Sequence, residues 1–205
     1  MQSSAPVPAS RVIRHPVVVL DDFLPGPEWQ ALLARVLANE ARFTASGTHD
    51  RRTDYRQSLV LNPPPDLVHP VVSRVRGALP QAIAALRLPA IQVGAVEAQV
   101  TASVDGSFFG VHTDAGEAVR KRHLTYVYYF NRQPKGFSGG ELRVYDDVLR
   151  NGKLARAETF SVIEPLHNRI VLFWARTMHE VMRVDIPSRA FADARFTVNG
   201  WVNAA

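Results

Sequence analysis

The stretch Ile91-Gln92-Val93-Gly94-Ala95-Val96-Glu97-Ala98-Gln99-Val100-Thr101 decides the fold, because the hydrophobic pattern of the chain changes there. Before it, apolar residues recur at helical spacing. Trp29, Leu32, Leu33, Val36 and Leu37 form one such set, and Leu67, Val71, Val75 and Leu79 another. After Ile91, short apolar runs are separated by Gly, Pro, Asn and Asp, which is the pattern of strands and turns. The expected strands are Ile91–Thr101, Phe108–His112, Leu124–Phe130, Glu141–Tyr145, Thr159–Val162, Arg169–Trp174, Glu180–Arg183 and Arg195–Val202. Two helices followed by about eight strands point to an α+β, mainly β protein: a double-stranded β-helix, or jelly roll, with N-terminal supporting helices.

Working toward the N-terminus, Val17 to Leu20 reads as a first strand and Ser58 to Leu61 as another. Pro27 falls in the first turn of the first helix, where a missing N–H costs nothing. Asp66 is placed to cap the second helix, and Pro80 is expected to kink or break it. Residues 1–14 read as a flexible tail, and 15–205 as a single jelly-roll domain without internal repeat. The Arg-rich segment Thr48 to Arg56 reads as a surface loop and a candidate substrate lid.

Composition narrows the class. Hydrophobic residues make up 46% and charged residues 21%, as in an ordinary soluble globular domain of this length. No apolar run approaches the roughly 18 residues of a membrane span, and the Ser/Ala/Pro-rich start lacks the pattern of a signal peptide, so a cytoplasmic protein is expected. The absence of cysteine excludes disulfides and thiolate metal sites. The net charge of +5 is scattered. Its densest groups are Arg51, Arg52 and Arg56, then Arg120, Lys121 and Arg122, and no nucleic-acid motif accompanies them.

The chemistry is carried by His112-x-Asp114 and His179. Residues i and i+2 of a strand share a face, so His112 and Asp114 can both point into the mouth of a roll. His179 begins another expected strand, and strands facing each other across the roll could bring it near. Two imidazoles and one carboxylate suit a non-haem Fe(II) site with open coordination positions. The other five histidines, His15, His49, His69, His123 and His167, lie in loops, on an exposed helix face or beside basic residues, and read as structural or solvated.

Five blocks, in order, extend this reading. They are Asp105-Gly106-Ser107-Phe108-Phe109-Gly110-Val111-His112-Thr113-Asp114, Leu124 to Asn131, Gly139-Gly140-Glu141-Leu142, Val171-Leu172-Phe173-Trp174 with Met178-His179-Glu180-Val181, and Arg195 to Trp201. Together they resemble the prolyl-4-hydroxylase-like branch of the Fe(II)/2-oxoglutarate-dependent dioxygenases. The resemblance covers residues 105–201.

That resemblance implies Fe(II) held by His112, Asp114 and His179, with 2-oxoglutarate and O2 as cosubstrates and ascorbate as an optional reductant. It implies hydroxylation of an unactivated C–H bond with release of succinate and CO2. Asp114 argues for hydroxylation, because related halogenases lack this carboxylate. A carboxylate of 2-oxoglutarate buried in an apolar pocket needs a charge-assisted partner, and arginine suits it. Arg195 is the candidate from its spacing to Trp201, with Tyr129 as a second donor. In relatives the arginine follows the distal histidine by about ten residues. Arg195 follows His179 by sixteen and Arg189 by ten. An insertion in Val184 to Ala194 would restore Arg195, so Arg189 stays open as the alternative. Ser103 stands near where many relatives carry a tyrosine.

Three substrate readings follow. One is a prolyl or other residue of a protein or peptide. Another is a free amino acid or small metabolite. The third is a non-catalytic, metal-binding jelly roll, against which the triad together with Arg195 and Tyr129 argues. Neither the substrate nor the oligomeric state is legible in the sequence.

Overall fold

The computed structural model describes residues 11–46, 55–150 and 152–205. In chain order the strands are β1 (Arg11–Ile13), β2 (Val18–Leu20), β3 (Thr44–Ala45), β4 (Arg56–Gln57), β5 (Leu59–Leu61), β6 (Val93–Ser103), β7 (Phe108–His112), β8 (Arg122–Phe130), β9 (Ser138–Gly139), β10 (Leu142–Arg150), β11 (Lys153–Ile163), β12 (Arg169–Trp174), β13 (His179–Val181), β14 (Val184–Asp185) and β15 (Arg195–Ala204). Helix α1 spans Gly26–Leu37 and α2 spans Pro65–Ala85. Seven strands form one antiparallel sheet in the order β2-β12-β8-β15-β6-β5-β3. A second sheet runs β1-β10-β13-β7-β4, with β11 on the other side of β10. This is the expected helix-supported jelly roll.

Strand periodicity explains the layering. On β8, Leu124, Tyr126, Tyr128 and Phe130 join the large core cluster that also holds Leu32, Leu33 and Val36 of α1 and Val71, Val75 and Leu79 of α2. The alternate residues Thr125, Val127 and Tyr129 face the other way, between the two sheets. Strand β15 does the same. Phe196, Val198 and Val202 pack toward the helices, while Arg195, Thr197, Asn199 and Trp201 line a cavity between the sheets. One face of the seven-stranded sheet is thus a helix-covered core, and the opposite face carries polar side chains inward.

Several expectations change. Arg11–Ile13, placed in the tail, pair as β1 with Asp147, Val148 and Leu149 of β10. Asp66 does not cap α2; Pro64 takes that position, and Asp66 in the first turn pairs with Arg35 at 2.6 Å. Neither Pro70 nor Pro80 breaks α2. Pro70 leaves the Asp66 carbonyl without a helical donor, and Arg35 Nη1 approaches that carbonyl at 3.5 Å. Pro80 is exposed, so the carbonyl it frees meets solvent, while Val75, Leu79 and Ala82 hold the buried face in register. The expected strand Glu141–Tyr145 runs further, as β10, so that Asp146 and Asp147 lie within it beside a bulge. Asp146 accepts the backbone N–H of His15 and the Thr159 hydroxyl, which holds it in the strand. Most of the proposed lid, Thr48 to Asp54, lies outside the described residues, and no described helix is long and apolar enough to cross a membrane.

Candidate active site

Strands β7 and β13 are antiparallel neighbours, and His112 stands directly opposite His179 in their register. The two histidines therefore meet within one sheet, side by side. The sequence reading had placed them across the roll. Their ring centroids are 4.1 Å apart. Asp114 follows the end of β7, and its N–H is held by the Ala175 carbonyl at 3.0 Å. One ligating atom from each of His112, Asp114 and His179 lies within 4.8 Å of the others, and no other cluster of this kind holds any described histidine.

Both imidazoles are fixed in the same tautomer by backbone. Nδ1 of His112 lies 2.8 Å from the Gly110 carbonyl, and Nδ1 of His179 lies 2.9 Å from the Thr177 carbonyl. A carbonyl only accepts, so each Nδ1 carries a proton and each Nε2 is the ring atom turned toward the centre. Nε2 of His112 faces Oδ1 of Asp114 at 3.8 Å, and Nε2 of His179 faces Oδ2 at 3.4 Å. Thr125 donates to Oδ2 at 2.7 Å. Burial, with the neighbouring His179, pushes His112 down to about 3, so it is neutral near pH 7. Burial alone would raise the Asp114 carboxyl, but His179, His112 and the Thr125 hydroxyl hold it below the usual range. A neutral His112 imidazole and an ionised Asp114 carboxylate are protonation states that suit a divalent cation.

The cluster opens into a cavity of about 440 Å³ whose lining includes Arg195. Arg195 is 3% exposed, and burial lowers its pKa against the opposing influence of Tyr129 and Glu141. Its Nη1 donates to the Ser103 hydroxyl over a long 3.5 Å, and its Nε has no partner. Tyr129, beneath the guanidinium with its ring centroid 4.9 Å from Arg195 Cζ, has a buried hydroxyl that is also unpartnered. A buried cation without an ion-pair partner among the described residues is costly, and so is an unsatisfied hydroxyl. One carboxylate placed here would satisfy both. Arg189 is not among the residues lining the cavity: its side chain is 84% exposed, and it pairs with Asp105 at 3.5 Å.

Gly140 makes room for Arg195. It adopts φ +73°, and a Cβ there would lie 2.6 Å from Arg195 Cδ. The second glycine of the Gly139-Gly140 turn therefore has a local cause, which is the seating of this arginine. The segment between His179 and Arg195 contains β14 followed by a short helical turn at Phe191–Asp193.

A model of the 2OG-Fe(II) oxygenase superfamily matches residues 98–203, more than half of the chain. The chain belongs to the 2OG-Fe(II) oxygenase superfamily. Its membership implies Fe(II), 2-oxoglutarate and O2, and the donor set just described fits the first two. An uncharacterized PKHD-type hydroxylase of Synechocystis is 40% identical over 186 residues. The match covers 89% of this chain, and the chain spans 61% of that relative's length. Among solved oxygenase structures, a Pseudomonas putida prolyl-4-hydroxylase aligns with TM-score 0.67 at 20% identity, covering 93% of this chain and 94% of that one. A Trichoplax adhaerens prolyl hydroxylase, in complex with a peptide fragment of a hypoxia inducible factor oxygen degradation domain, aligns with TM-score 0.67 at 18% identity over 92% and 83%. A collagen prolyl hydroxylase of Paramecium Bursaria Chlorella virus-1, as its 2OG complex, aligns with TM-score 0.60 at 18% identity over 92% and 96%. These structural similarities are of fold.

Sequence reasoning missed three oxygenase-site features. Thr125 lies within an expected strand, and no role was assigned to it. Ser103 stands near where many relatives carry a tyrosine, yet its hydroxyl accepts from Arg195 Nη1. Phe109 reads as a wall residue, but its ring stacks on His112 with centroids 3.5 Å apart.

Proposed function

We propose that this chain is an Fe(II)- and 2-oxoglutarate-dependent dioxygenase that hydroxylates an unactivated C–H bond, releasing succinate and CO2. The observation that carries the proposal is the pairing of two partial sites in one cavity. One is a His-Asp-His cluster with both Nε2 atoms aimed inward. The other is a buried arginine and tyrosine that lack an anion.

In this reading His112, Asp114 and His179 hold the iron, and Arg195 and Tyr129 hold the distal carboxylate of 2-oxoglutarate. Bound iron and 2-oxoglutarate supply the oxidising chemistry. The protein supplies placement. Gly110 and Thr177 carbonyls lock the imidazoles, Thr125 orients the carboxylate, and Ser103 steadies Arg195. Apolar side chains, among them Val127, Leu142 and Val181, line the space between the cluster and Arg195 and limit water there.

For the substrate we propose a prolyl or other residue of a protein or peptide, a reading supported by the prolyl hydroxylases among the fold neighbours and by the PKHD-type relative. A free amino acid or small metabolite is the second reading, favoured by the half-buried Arg56 in the cavity wall. The test is Fe(II)- and O2-dependent conversion of 2-oxoglutarate to succinate by the purified protein. A peptide array and a metabolite panel are then compared for stimulation of that turnover. A protein that binds iron yet yields no succinate under any of these conditions contradicts the proposal.

A further inference from the structure

Four charged residues besides the two histidines line the cavity among the described residues: Arg56, Arg122, Arg195 and Asp114. Arg122 is accounted for, because it pairs with Glu97 at 2.9 Å and lies over the Trp201 ring at 3.4 Å. Arg195 is accounted for by the cosubstrate. Arg56 is not. It lies on β4, paired with Phe109 of β7, and its guanidinium sits over the Phe109 ring, 4.7 Å from the centroid. That ring is the one stacked on His112, so Arg56 is one side chain away from the cluster. Its Nε donates to Ser58 at 3.3 Å, but among the described residues neither Nη atom makes a hydrogen bond and no ion pair forms. Burial lowers its pKa, and the attraction of Asp114 opposes this only in part.

Charge counting sharpens the point. A divalent cation beside Asp114, a dianionic cosubstrate and Arg195 together come to neutrality. Arg56 then leaves one positive charge in the pocket wall with no balancing carboxylate among the described residues. An arginine held by a cation–π contact, with no partner for its outer fork among the described residues, is suited to a carboxylate.

We propose that Arg56 is a specificity-determining residue that binds a carboxylate of the substrate, so that the molecule hydroxylated here is itself an anion. This rests on the oxygenase reading of the same cavity. The carboxylate has two possible sources, the free α-carboxylate of an amino acid or metabolite and an acidic side chain within a peptide.

The experiment uses the whole chain and matched probes. One set consists of N-acetyl amino acids, each paired with its neutral N-acetyl amide. The other consists of doubly blocked tripeptides with a central Asp or Glu, each paired with Asn or Gln. Calorimetric binding is measured in wild type, Arg56→Gln and Arg56→Lys, with 2-oxoglutarate saturating so that Arg195 is occupied. It is repeated without cosubstrate in Arg195→Ala. In wild type the best acid is expected to bind about tenfold or more tightly than its neutral partner. Arg56→Gln should remove that preference and leave 2-oxoglutarate affinity within about twofold, and Arg56→Lys should restore part of it. Preference within the first set identifies a free α-carboxylate, and preference within the second an acidic side chain. The proposal is overturned if no acid outbinds its neutral partner in wild type. It is equally overturned if Arg56→Gln weakens 2-oxoglutarate itself, which would make Arg56 a cosubstrate residue. Failure of wild type to bind 2-oxoglutarate would sink the oxygenase reading instead, and the Arg195→Ala arm still reads Arg56 alone.

Discussion

The Thr125 hydroxyl donates a 2.7 Å hydrogen bond to Oδ2 of Asp114, the oxygen that also lies 3.4 Å from Nε2 of His179. A carboxylate with one oxygen tied in this way has one orientation to offer a metal. Thr125→Val removes the donor while keeping the shape. Metal affinity should fall roughly 10- to 100-fold, the usual effect of losing such support, and Thr125→Ser should retain most of it. Titration with Mn(II) reads this directly. Equal affinity in wild type and Thr125→Val would show that the backbone alone orients Asp114.

Arg195 and Arg189 make opposite predictions. Arg195→Ala should weaken 2-oxoglutarate about 10- to 100-fold, as expected for a charge-assisted pair, with metal affinity retained. Arg189→Ala should change neither. Removal of a buried, unpaired cation should also leave the cosubstrate-free protein as stable as wild type or more so. A melting temperature well below wild type for Arg195→Met would mean that Arg195 already has a partner in the empty site.

Tyr129→Phe should cost less, about 1 kcal/mol of 2-oxoglutarate binding, because one neutral hydrogen bond is modest. Gly140→Ala should cost more, since the new methyl would collide with Arg195 Cδ at a position already at φ +73°. Competition for 2-oxoglutarate binding ranks the two. The reverse order would mean that Arg195 moves freely within the cavity.

Acid should unfold the metal-free protein early. Burial holds His112 near 3 in the fold, while the unfolded chain binds its proton near 6.5. Between these values the unfolded state carries more protons, so stability falls as pH drops from about 6.5 toward 3. Asp114, whose pKa is depressed, adds loss in the same direction across the carboxylate range. Thermal melts from pH 7 to 4 should decline, and His112→Gln should flatten the upper part of that decline. A flat wild-type profile over this interval contradicts the account.

How much of this was legible in the sequence depends on how local the cause was. The i, i+2 spacing placed His112 and Asp114 on one face, and the pattern of short apolar runs marked Arg195–Val202 as a strand. The pairing of His112 with His179 was not legible, because strand register between distant segments is set by the whole sheet. Spacing to Trp201 favoured Arg195 and left Arg189 open; the burial of Arg195 and the exposure of Arg189 support the same preference. Pro80 misled because the apolar face of α2 outweighs one lost hydrogen bond. Arg56 was grouped with a loop, and only its pairing with Phe109 shows that it enters the cavity.

The central claim is that one cavity holds both Fe(II) and 2-oxoglutarate. The most direct measurement adds Fe(II) and then 2-oxoglutarate to the metal-free protein under anaerobic conditions and follows the weak visible metal-to-ligand charge-transfer absorption. A band should appear in wild type, and Arg195→Ala should need far more 2-oxoglutarate to reach it. Folded, iron-loaded wild-type protein that shows no band at saturating 2-oxoglutarate would contradict the claim.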